Sequence, residues 1–236
     1  MIAALIPLKD PEKSKQRLSD LLVAEERYEL ALAMLKDVVA AVVEASRIQR
    51  TIILGGGEAA ARVARLSGCE FIPDWDNRGE TEAVALGTQA LQGSVDGLLV
   101  LPADVPLVRP EDVDALVSKS DEGARVVLCP ARDGCGTNGA LRCPGEIMPL
   151  TFGNNSFHPH YNLALQLGIP LAVVELPRLG LDLDRPEDVA TYIRESHSGE
   201  THRYLTSIRV DKRLSRWNSQ VRSFSNQRNY DGVIST

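Results

Sequence analysis

Carboxylates that could bind a metal ion occur at two places in the sequence. The run 98–107 (LLVLPADVPL) is apolar enough for a buried parallel strand and carries Asp104 at its carboxyl end. In an open α/β sheet this end of a strand lies at the crevice where ligands bind, and Pro102 and Pro106 stiffen the backbone there. A fixed acid at this position suggests a metal ligand. Alternatively, Asp104 starts a turn or caps a helix that opens near Pro110.

The segment 181–184 (LDLD) adds two further acids. In an extended chain Asp182 and Asp184 point to the same side, because alternate residues share a face. Together with Asp104 they suit a hard cation such as Mg²⁺, which takes oxygen ligands and also binds substrate phosphates. The alternative for Asp184 is capping of the helix that Pro186 opens, but a cap needs only one acid and leaves Asp182 unexplained.

Positive charge is concentrated in the loop that follows the first predicted strand. The cations are Lys9, Lys13, Lys15 and Arg17. In α/β sheets this loop is a frequent phosphate site, and the four side chains could neutralise a triphosphate and its leaving pyrophosphate. The sequence contains neither GxxxxGK[ST] nor GxGxxG, and a solvated surface would also account for these charges.

Two polar loops could hold an anion. The segment 133–141 (DGCGTNGAL) is a glycine-rich turn in which Thr137 and Asn138 add neutral donors, although an ordinary hairpin loop has the same composition. The segment 152–160 (FGNNSFHPH) precedes a helix and offers Ser156 and free backbone N–H groups to a carboxylate or phosphate.

Histidine and cysteine give weaker indications. His158 and His160 have no third metal ligand nearby in the sequence, so we interpret them as surface or capping residues. The cysteines form no close CxxC pair, which indicates reduced thiols and argues against a structural zinc site; they are Cys69, Cys129, Cys135 and Cys143.

Alternating elements must position these side chains. Short buried strands are predicted at 2–8, 51–54, 69–72, 97–101, 125–129 and 170–175. Helices are predicted at 25–45, 58–66, 80–91, 110–118, 160–167 and 186–195. This order predicts an α/β fold with a mostly parallel central sheet and helices on both faces. The stretch 129–159 is interpreted as a long functional insertion.

Composition predicts one α/β domain over residues 1–196 and a basic extension over 197–236. The chain has 236 residues, 44% of them apolar and 25% charged, enough to bury a sizeable core. The net charge is −6, but seven Lys/Arg against three Asp/Glu after residue 197 leave about −10 on the body, which argues against a nucleic-acid duplex as partner. In the extension we predict a strand at 204–210, with the rest partly disordered or at a subunit interface.

The amino-terminal segment MIAALIPLKD is apolar for only about eight residues and lacks the basic start of a signal peptide. We therefore expect a cytoplasmic protein that does not interact with membranes.

Six motifs in a fixed order carry a family resemblance. They are IPLK (6–9), KQRLS (15–19), LPADVPL (101–107), GTN (136–138), FGxxSF (152–157) and LDLDRPEDV (181–189). Over about residues 1–195 the chain resembles the 2-phospho-L-lactate guanylyltransferases, within a wider group that includes the molybdenum-cofactor guanylyltransferases. The resemblance implies a Rossmann-like (GT-A-like) three-layer nucleotidyltransferase fold, often dimeric. It also implies transfer of GMP from GTP to 2-phospho-L-lactate, phosphoenolpyruvate or 3-phosphoglycerate, with release of pyrophosphate, in coenzyme F-420 biosynthesis.

The same resemblance implies roles for ten residues. Metal ligands for Mg²⁺ would be Asp104, Asp182 and Asp184; the triphosphate would be bound by Lys9, Lys15 and Arg17; the acceptor's phosphate and carboxylate would be held by Thr137, Gly153 and Ser156; the nucleotide loop would include Gly79. Lys15, Arg17 and Asp104 would act directly on the reacting groups. The chain departs from the family at Glu80 and Thr81, where Leu and Asn are usual.

Two other functions remain open from the sequence. One is a nucleotidyltransferase that uses a sugar phosphate or molybdopterin as acceptor, and the other is a non-catalytic nucleotide-binding protein. An acceptor phosphate is already an anion at neutral pH, so guanylyl transfer to it needs no general base. The absence of an evident catalytic His, Ser or Cys motif is therefore compatible with this reaction.

Overall fold

The computed structural model describes residues 1–8, 11, 15–55, 57–153 and 155–219. Within them the strands are β1 (Ile2–Leu8), β2 (Arg50–Gly55), β3 (Glu70–Pro73), β4 (Gly97–Val100), β5 (Val126–Pro130), β6 (Thr137–Arg142) and β7 (Leu171–Val173). The helices are α1 (Ala24–Glu44), α2 (Glu58–Ser67), α3 (Glu80–Leu91), α4 (Pro110–Asp121), α5 (Phe157–Gln166), α6 (Pro186–Glu195) and α7 (Glu200–Ser207). A 3-10 turn covers Gln16–Leu18, and residues 210–219 are again helical. No helix among these residues combines the length and apolar character needed to cross a membrane.

The strands form one mixed sheet in the order β3-β2-β1-β4-β6-β5-β7. β1 pairs in parallel with β2 and β4, and β5 pairs in parallel with β7. β6 alone among these strands runs antiparallel to both of its neighbours, β4 and β5. The prediction of a mostly parallel α/β sheet is confirmed. The stretch 129–159, which we interpreted as a long functional insertion, supplies β6 to the middle of the sheet.

Helices cover both faces of the sheet. Alternate residues of β1 separate the two layers: Ala4 and Ile6 pack with α1, α2 and α4, whereas Ala3 and Leu5 pack with α3 and α5. Helix α3 approaches the strands closely at Gly87, where a Cβ atom would lie 2.6 Å from the Leu5 Cδ2 atom. Two apolar layers therefore fix the sheet and bring the ends of its strands to one edge.

A third apolar cluster holds the carboxyl-terminal part of the described chain against α1. Leu205, Val210 and Leu214 are buried there with residues of α1 and α6. The Arg213 guanidinium also donates two hydrogen bonds to the Glu26 carboxylate, at 2.6 and 2.7 Å. The predicted strand at 204–210 is wrong, since the helix α7 occupies most of it. Residues 220–236 of the basic extension lie outside the described part, so their predicted state is untested.

Candidate active site

Asp104 and the 181–184 segment meet at the carboxyl edge of the parallel strands. Asp104 lies four residues beyond the end of β4. Its backbone oxygen accepts a hydrogen bond from the Leu183 N–H at 3.0 Å, which places Asp184 beside it. Two acids that are 80 residues apart in sequence are thereby held together by the main chain.

The Lys15 ammonium lies between these two carboxylates. Its Nζ atom is 2.5 Å from Asp104 Oδ2 and 2.6 Å from Asp184 Oδ1, and the side chain is only 7% exposed. Burial by itself lowers the pKa of Lys15, but Asp104 and Asp184 more than offset this, so the pKa lies above its ordinary value. The Lys15 backbone is left-handed (φ 55°, ψ 35°), a conformation that a non-glycine residue adopts at some cost.

Asp182 is a third acid near Asp104 and Asp184, at a half-buried position. Its Oδ1 atom accepts a hydrogen bond from Asn138 Nδ2 at 3.2 Å, and the same amide nitrogen donates to the Leu179 carbonyl at 3.0 Å. Burial, followed by repulsion from Asp104, raises the pKa of Asp182 to about 6. A carboxyl group with a raised pKa beside two other acids indicates a place where added positive charge would be stabilising.

Capping does not account for Asp104 or Asp184. The amino end of α4 is capped by Asp112, whose Oδ2 accepts the Arg109 N–H at 3.0 Å. At α6 the same role falls to Asp188, whose Oδ2 accepts the Arg185 N–H at 2.8 Å. The capping alternatives that the sequence left open for Asp104 and Asp184 are therefore not realised.

Asp104, Asp184 and Lys15 line an open pocket of about 320 Å³. Arg17, Met34 and Glu80 also line this pocket. The Arg17 Nη1 atom lies 3.7 Å from Asp184 Oδ2. Gly79 directly precedes Glu80 at the amino end of α3, with φ 125°, a value that strongly favours glycine. Lys9 and Lys13 lie outside the described residues, so their predicted phosphate contacts remain predictions.

The three acids suit a hard divalent cation by their chemistry, since all of their side-chain oxygens are carboxylate oxygens. The Lys15 ammonium lies between two of them, which indicates that this point favours a cation. Among the described residues, however, no three His, Cys, Asp or Glu side chains form a ready-made metal-binding group. The metal-ligand roles of Asp104, Asp182 and Asp184 therefore remain a prediction with which the donor set agrees.

A β-bulge sends neighbouring residues of β6 to different parts of the site. Cys129 of β5 pairs with Gly139, but the next residue, Pro130, pairs with Thr137, so Asn138 has no residue opposite it. The Asn138 amide therefore reaches the 179–182 segment, as described above, while the Thr137 hydroxyl reaches α5. The two sides of the site are joined through adjacent residues.

Thr137 and Ser156 form a buried pair of hydroxyl groups. Ser156 Oγ accepts the Thr137 N–H at 3.0 Å, and the two hydroxyl oxygens are 3.2 Å apart. The residues are 6% and 3% exposed. Gly153 lies in the loop before this pair, with no atom within 4 Å of the place that a Cβ would occupy. Two of the residues that the resemblance assigns to the acceptor, Thr137 and Ser156, thus lie beside one another, and the backbone at Gly153 is open.

Thr81 and His160, which were not expected to support the site, hold this loop. Thr81 Oγ1 accepts the Phe152 N–H at 2.9 Å and so ties the loop to the first turn of α3. His160 Nε2 accepts the Thr151 N–H at 2.8 Å, and its Nδ1 lies 3.0 Å from Thr137 Oγ1. Our interpretation of His160 as a surface or capping histidine is wrong, because it is 2% exposed and bridges two segments. The i, i+4 spacing of Ser156 and His160 on one helix was the available signal.

Comparisons with known proteins show the family to which the chain is similar. A family model described as "Guanylyl transferase CofC like" matches residues 2–227. Phosphoenolpyruvate guanylyltransferase of Rubrobacter xylanophilus is 36% identical over 190 residues, covering 80% of this chain and 92% of that protein. 2-phospho-L-lactate guanylyltransferase of Methanothermobacter thermautotrophicus is 29% identical over 218 residues, covering 92% and 96%.

Solved structures support the fold. A putative nucleotide-diphospho-sugar transferase from Desulfovibrio desulfuricans superposes with a TM-score of 0.69 at 14% identity, covering 92% of this chain and 96% of that one. The predicted Rossmann-like nucleotidyltransferase fold is thereby confirmed.

Proposed function

Because this chain belongs to the guanylyl transferase CofC-like family, we propose that it transfers GMP from GTP to a small phosphorylated carboxylic acid and releases pyrophosphate. The product would serve the biosynthesis of coenzyme F-420. The observation that carries the proposal is the meeting of Asp104, Asp184 and Lys15 at the edge of the sheet. Asn138, the neighbour of Thr137, binds Asp182 of the same acidic segment and so connects it to the Thr137–Ser156 pair. This arrangement suits a reaction between two phosphorylated substrates.

Phosphoenolpyruvate is the acceptor that we propose first. The relative that carries this name is 36% identical, against 29% for the relative named for 2-phospho-L-lactate. Phosphoenolpyruvate, 2-phospho-L-lactate and 3-phosphoglycerate share a carboxylate and a phosphate, for which the Thr137–Ser156 pair and the backbone at Gly153 offer neutral donors. The differences between the acids involve few atoms, so the assay must compare all three.

In the proposed reaction an oxygen of the acceptor phosphate attacks the α-phosphorus of GTP. A new P–O bond forms there, and the bond to the β-phosphate oxygen breaks with its electron pair leaving on pyrophosphate. The attacking oxygen is already anionic at neutral pH, so the protein need not remove a proton. Its task is to bring two anions together in line, which Lys15 and Arg17 assist by binding the triphosphate.

Asp104, Asp182 and Asp184 would hold a divalent cation, which we propose to be Mg²⁺. When bound, this ion supplies positive charge to the phosphates of GTP and to the leaving group. Lys15 occupies a cation position in the described structure, and its ammonium would then be available to phosphate oxygens. The acids themselves fix charge and geometry and move no proton.

Pyrophosphate release tests the proposal. Purified protein with Mg²⁺ is assayed with GTP, ATP, UTP or CTP, each combined with phosphoenolpyruvate, 2-phospho-L-lactate, 3-phosphoglycerate or glucose 1-phosphate. We expect release only with GTP and one or more of the three acids. Folded protein that releases none in any of these GTP combinations contradicts the proposal. Release with the sugar phosphate alone favours the other nucleotidyltransferase class, and sedimentation tests the homodimer that the family resemblance implies.

A further inference from the structure

His160 connects two parts of the candidate acceptor site. Its ring is buried on α5, at 2% exposure, and packs edge-on against Phe152 with 5.4 Å between the ring centres. Nε2 accepts the Thr151 N–H at 2.8 Å, and Nδ1 lies 3.0 Å from Thr137 Oγ1. Both ring nitrogens are therefore engaged.

The backbone contact determines which tautomer the ring adopts. A nitrogen that accepts a hydrogen bond from an N–H group cannot carry a proton itself, so Nε2 is unprotonated. Burial, followed by the positive charge of Arg142, lowers the pKa of His160 to about 4, which keeps the ring neutral at physiological pH. The one ring proton must then be on Nδ1, where it is donated to Thr137 Oγ1.

The tautomer of His160 decides how many hydroxyl protons of the Thr137–Ser156 pair find an acceptor within the protein. Ser156 Oγ accepts the Thr137 N–H, and the bond between the two hydroxyl groups uses one hydroxyl proton. Thr137 Oγ1 also accepts from His160, so the second hydroxyl proton has no acceptor among the described residues. With the opposite tautomer, Nδ1 would accept that proton and the Thr151 N–H would lose its partner.

We propose that His160 is a positioning residue whose Nδ1–H keeps one hydroxyl proton of the Thr137–Ser156 pair free to bind an oxyanion of the acceptor. The inference rests on the proposed function, because it takes this pair as part of the acceptor site. A phosphate or carboxylate oxygen can only accept hydrogen bonds, so a free hydroxyl proton is the group that such a ligand requires. His160 thus acts on acceptor affinity through Thr137 without touching the ligand.

Two substitutions separate the two contacts of the ring. The Asn side chain places its amide near the position of Nδ1, so His160→Asn retains a donor for Thr137 and loses the acceptor for Thr151. The Gln side chain reaches the position of Nε2, so His160→Gln retains the acceptor for Thr151 and loses the donor. His158→Gln, at an exposed position on the same helix, is the matched control.

Steady-state kinetics of pyrophosphate release then test the proposal. We expect His160→Gln to raise the KM for the acceptor acid about tenfold or more, the effect of one lost hydrogen bond to a charged ligand, with the KM for GTP within about twofold of wild type. His160→Asn should keep the acceptor KM within about threefold, and the control should match wild type. A purely structural role would instead raise both KM values in both variants.

The tautomer is read independently of turnover. Long-range ¹H–¹⁵N spectra of the ligand-free protein should show His160 protonated on Nδ1, and protonation on Nε2 would overturn the inference whatever the protein catalyses. An active wild type whose His160→Gln variant keeps the wild-type acceptor KM would also overturn it. A wild type that releases no pyrophosphate contradicts the proposed function instead, and the positioning role of His160 falls with it.

Discussion

Replacing His160 should change how the stability of this protein depends on pH. In the unfolded chain the imidazole titrates near its ordinary pKa of 6.5, whereas burial lowers the pKa in the folded protein to about 4. Between these values the unfolded state binds a proton that the folded state does not, so stability falls as pH falls. The full shift corresponds to about 3 kcal/mol, and about 2 kcal/mol of it is lost between pH 6.5 and pH 5. Well above pH 6.5 neither state binds this proton, and the contribution to stability is complete.

Urea unfolding at pH 7, 6 and 5 measures the effect. The free energy of unfolding of wild type should fall by about 2 kcal/mol more than that of His160→Gln across this range, because the variant has no imidazole to protonate at this position. All other titrating groups are common to the two proteins and cancel in the difference. His158→Gln removes an exposed histidine from the same helix and should follow wild type. Parallel curves for wild type and His160→Gln would refute the argument that folding keeps the His160 ring neutral.

Three further predictions concern the proposed metal ligand Asp104, the buried Lys15 and helix α7. Asp104→Asn should lower kcat for pyrophosphate release by about a hundredfold or more, with the circular dichroism spectrum unchanged. The control Asp121→Asn, at an exposed position, should have no effect on kcat. Near-normal turnover of Asp104→Asn at saturating Mg²⁺ would remove Asp104 from the mechanism. Lys15→Met should tighten Mn²⁺ binding without nucleotide about fivefold, because the ion pair that Mn²⁺ must displace is worth about 1 kcal/mol when its carboxylates are partly exposed. Electron paramagnetic resonance that shows equal or weaker binding would contradict this. Leu205→Ala should lower the free energy of unfolding in urea by about 2–5 kcal/mol, because the Leu205 side chain is fully buried. The control Leu165→Ala, at an exposed position, should lower it by less than about 0.5 kcal/mol. An equally small loss for Leu205→Ala would mean that α7 contributes little to stability.

The sequence predicted the layers of the fold because these depend on periodicity. Continuous apolar runs predicted β1, β2 and β4, and the apolar stripe of α1 was found with nearly its full length. Helix α5 was placed too late, at 160. It begins at Phe157, because a proline such as Pro159 is tolerated in the first turn of a helix.

The elements that were missed depend on contacts distant in sequence. Strand β6 is rich in glycine and polar residues at its start, so local composition favoured a loop, but the neighbouring strands β4 and β5 supply its hydrogen bonds. The segment 204–210 contains Tyr, Ile and Val, which favour strands. It is nevertheless held against α1 by contacts in and just after it: Val210 and Leu214, spaced i, i+4, are buried there, and Arg213 binds Glu26.

In the candidate site, too, the residue types could be found from the sequence, whereas the contacts between distant segments could not. The acids and cations were identifiable because their residue types are unusual at the ends of apolar strands. The i, i+4 spacing with Ser156 was not enough to predict the role of His160, since this role follows from a backbone N–H and a hydroxyl group on two other segments. Asn138 was expected to donate to a bound anionic ligand, but its amide donates to a backbone carbonyl and to a carboxylate of the protein's own acidic segment.

The bulge in β6 has a consequence for how accurately two substrates can be aligned. Thr137 faces the proposed acceptor side and Asn138 faces the acids, and a single peptide bond joins them. Consecutive Cα atoms are about 3.8 Å apart and this separation hardly varies, whereas a flexible loop would change its span as it moved. The separation of the two halves of the site is therefore set by covalent geometry, and insertion of one residue between 137 and 138 would alter it without removing any of the groups that bind the substrates.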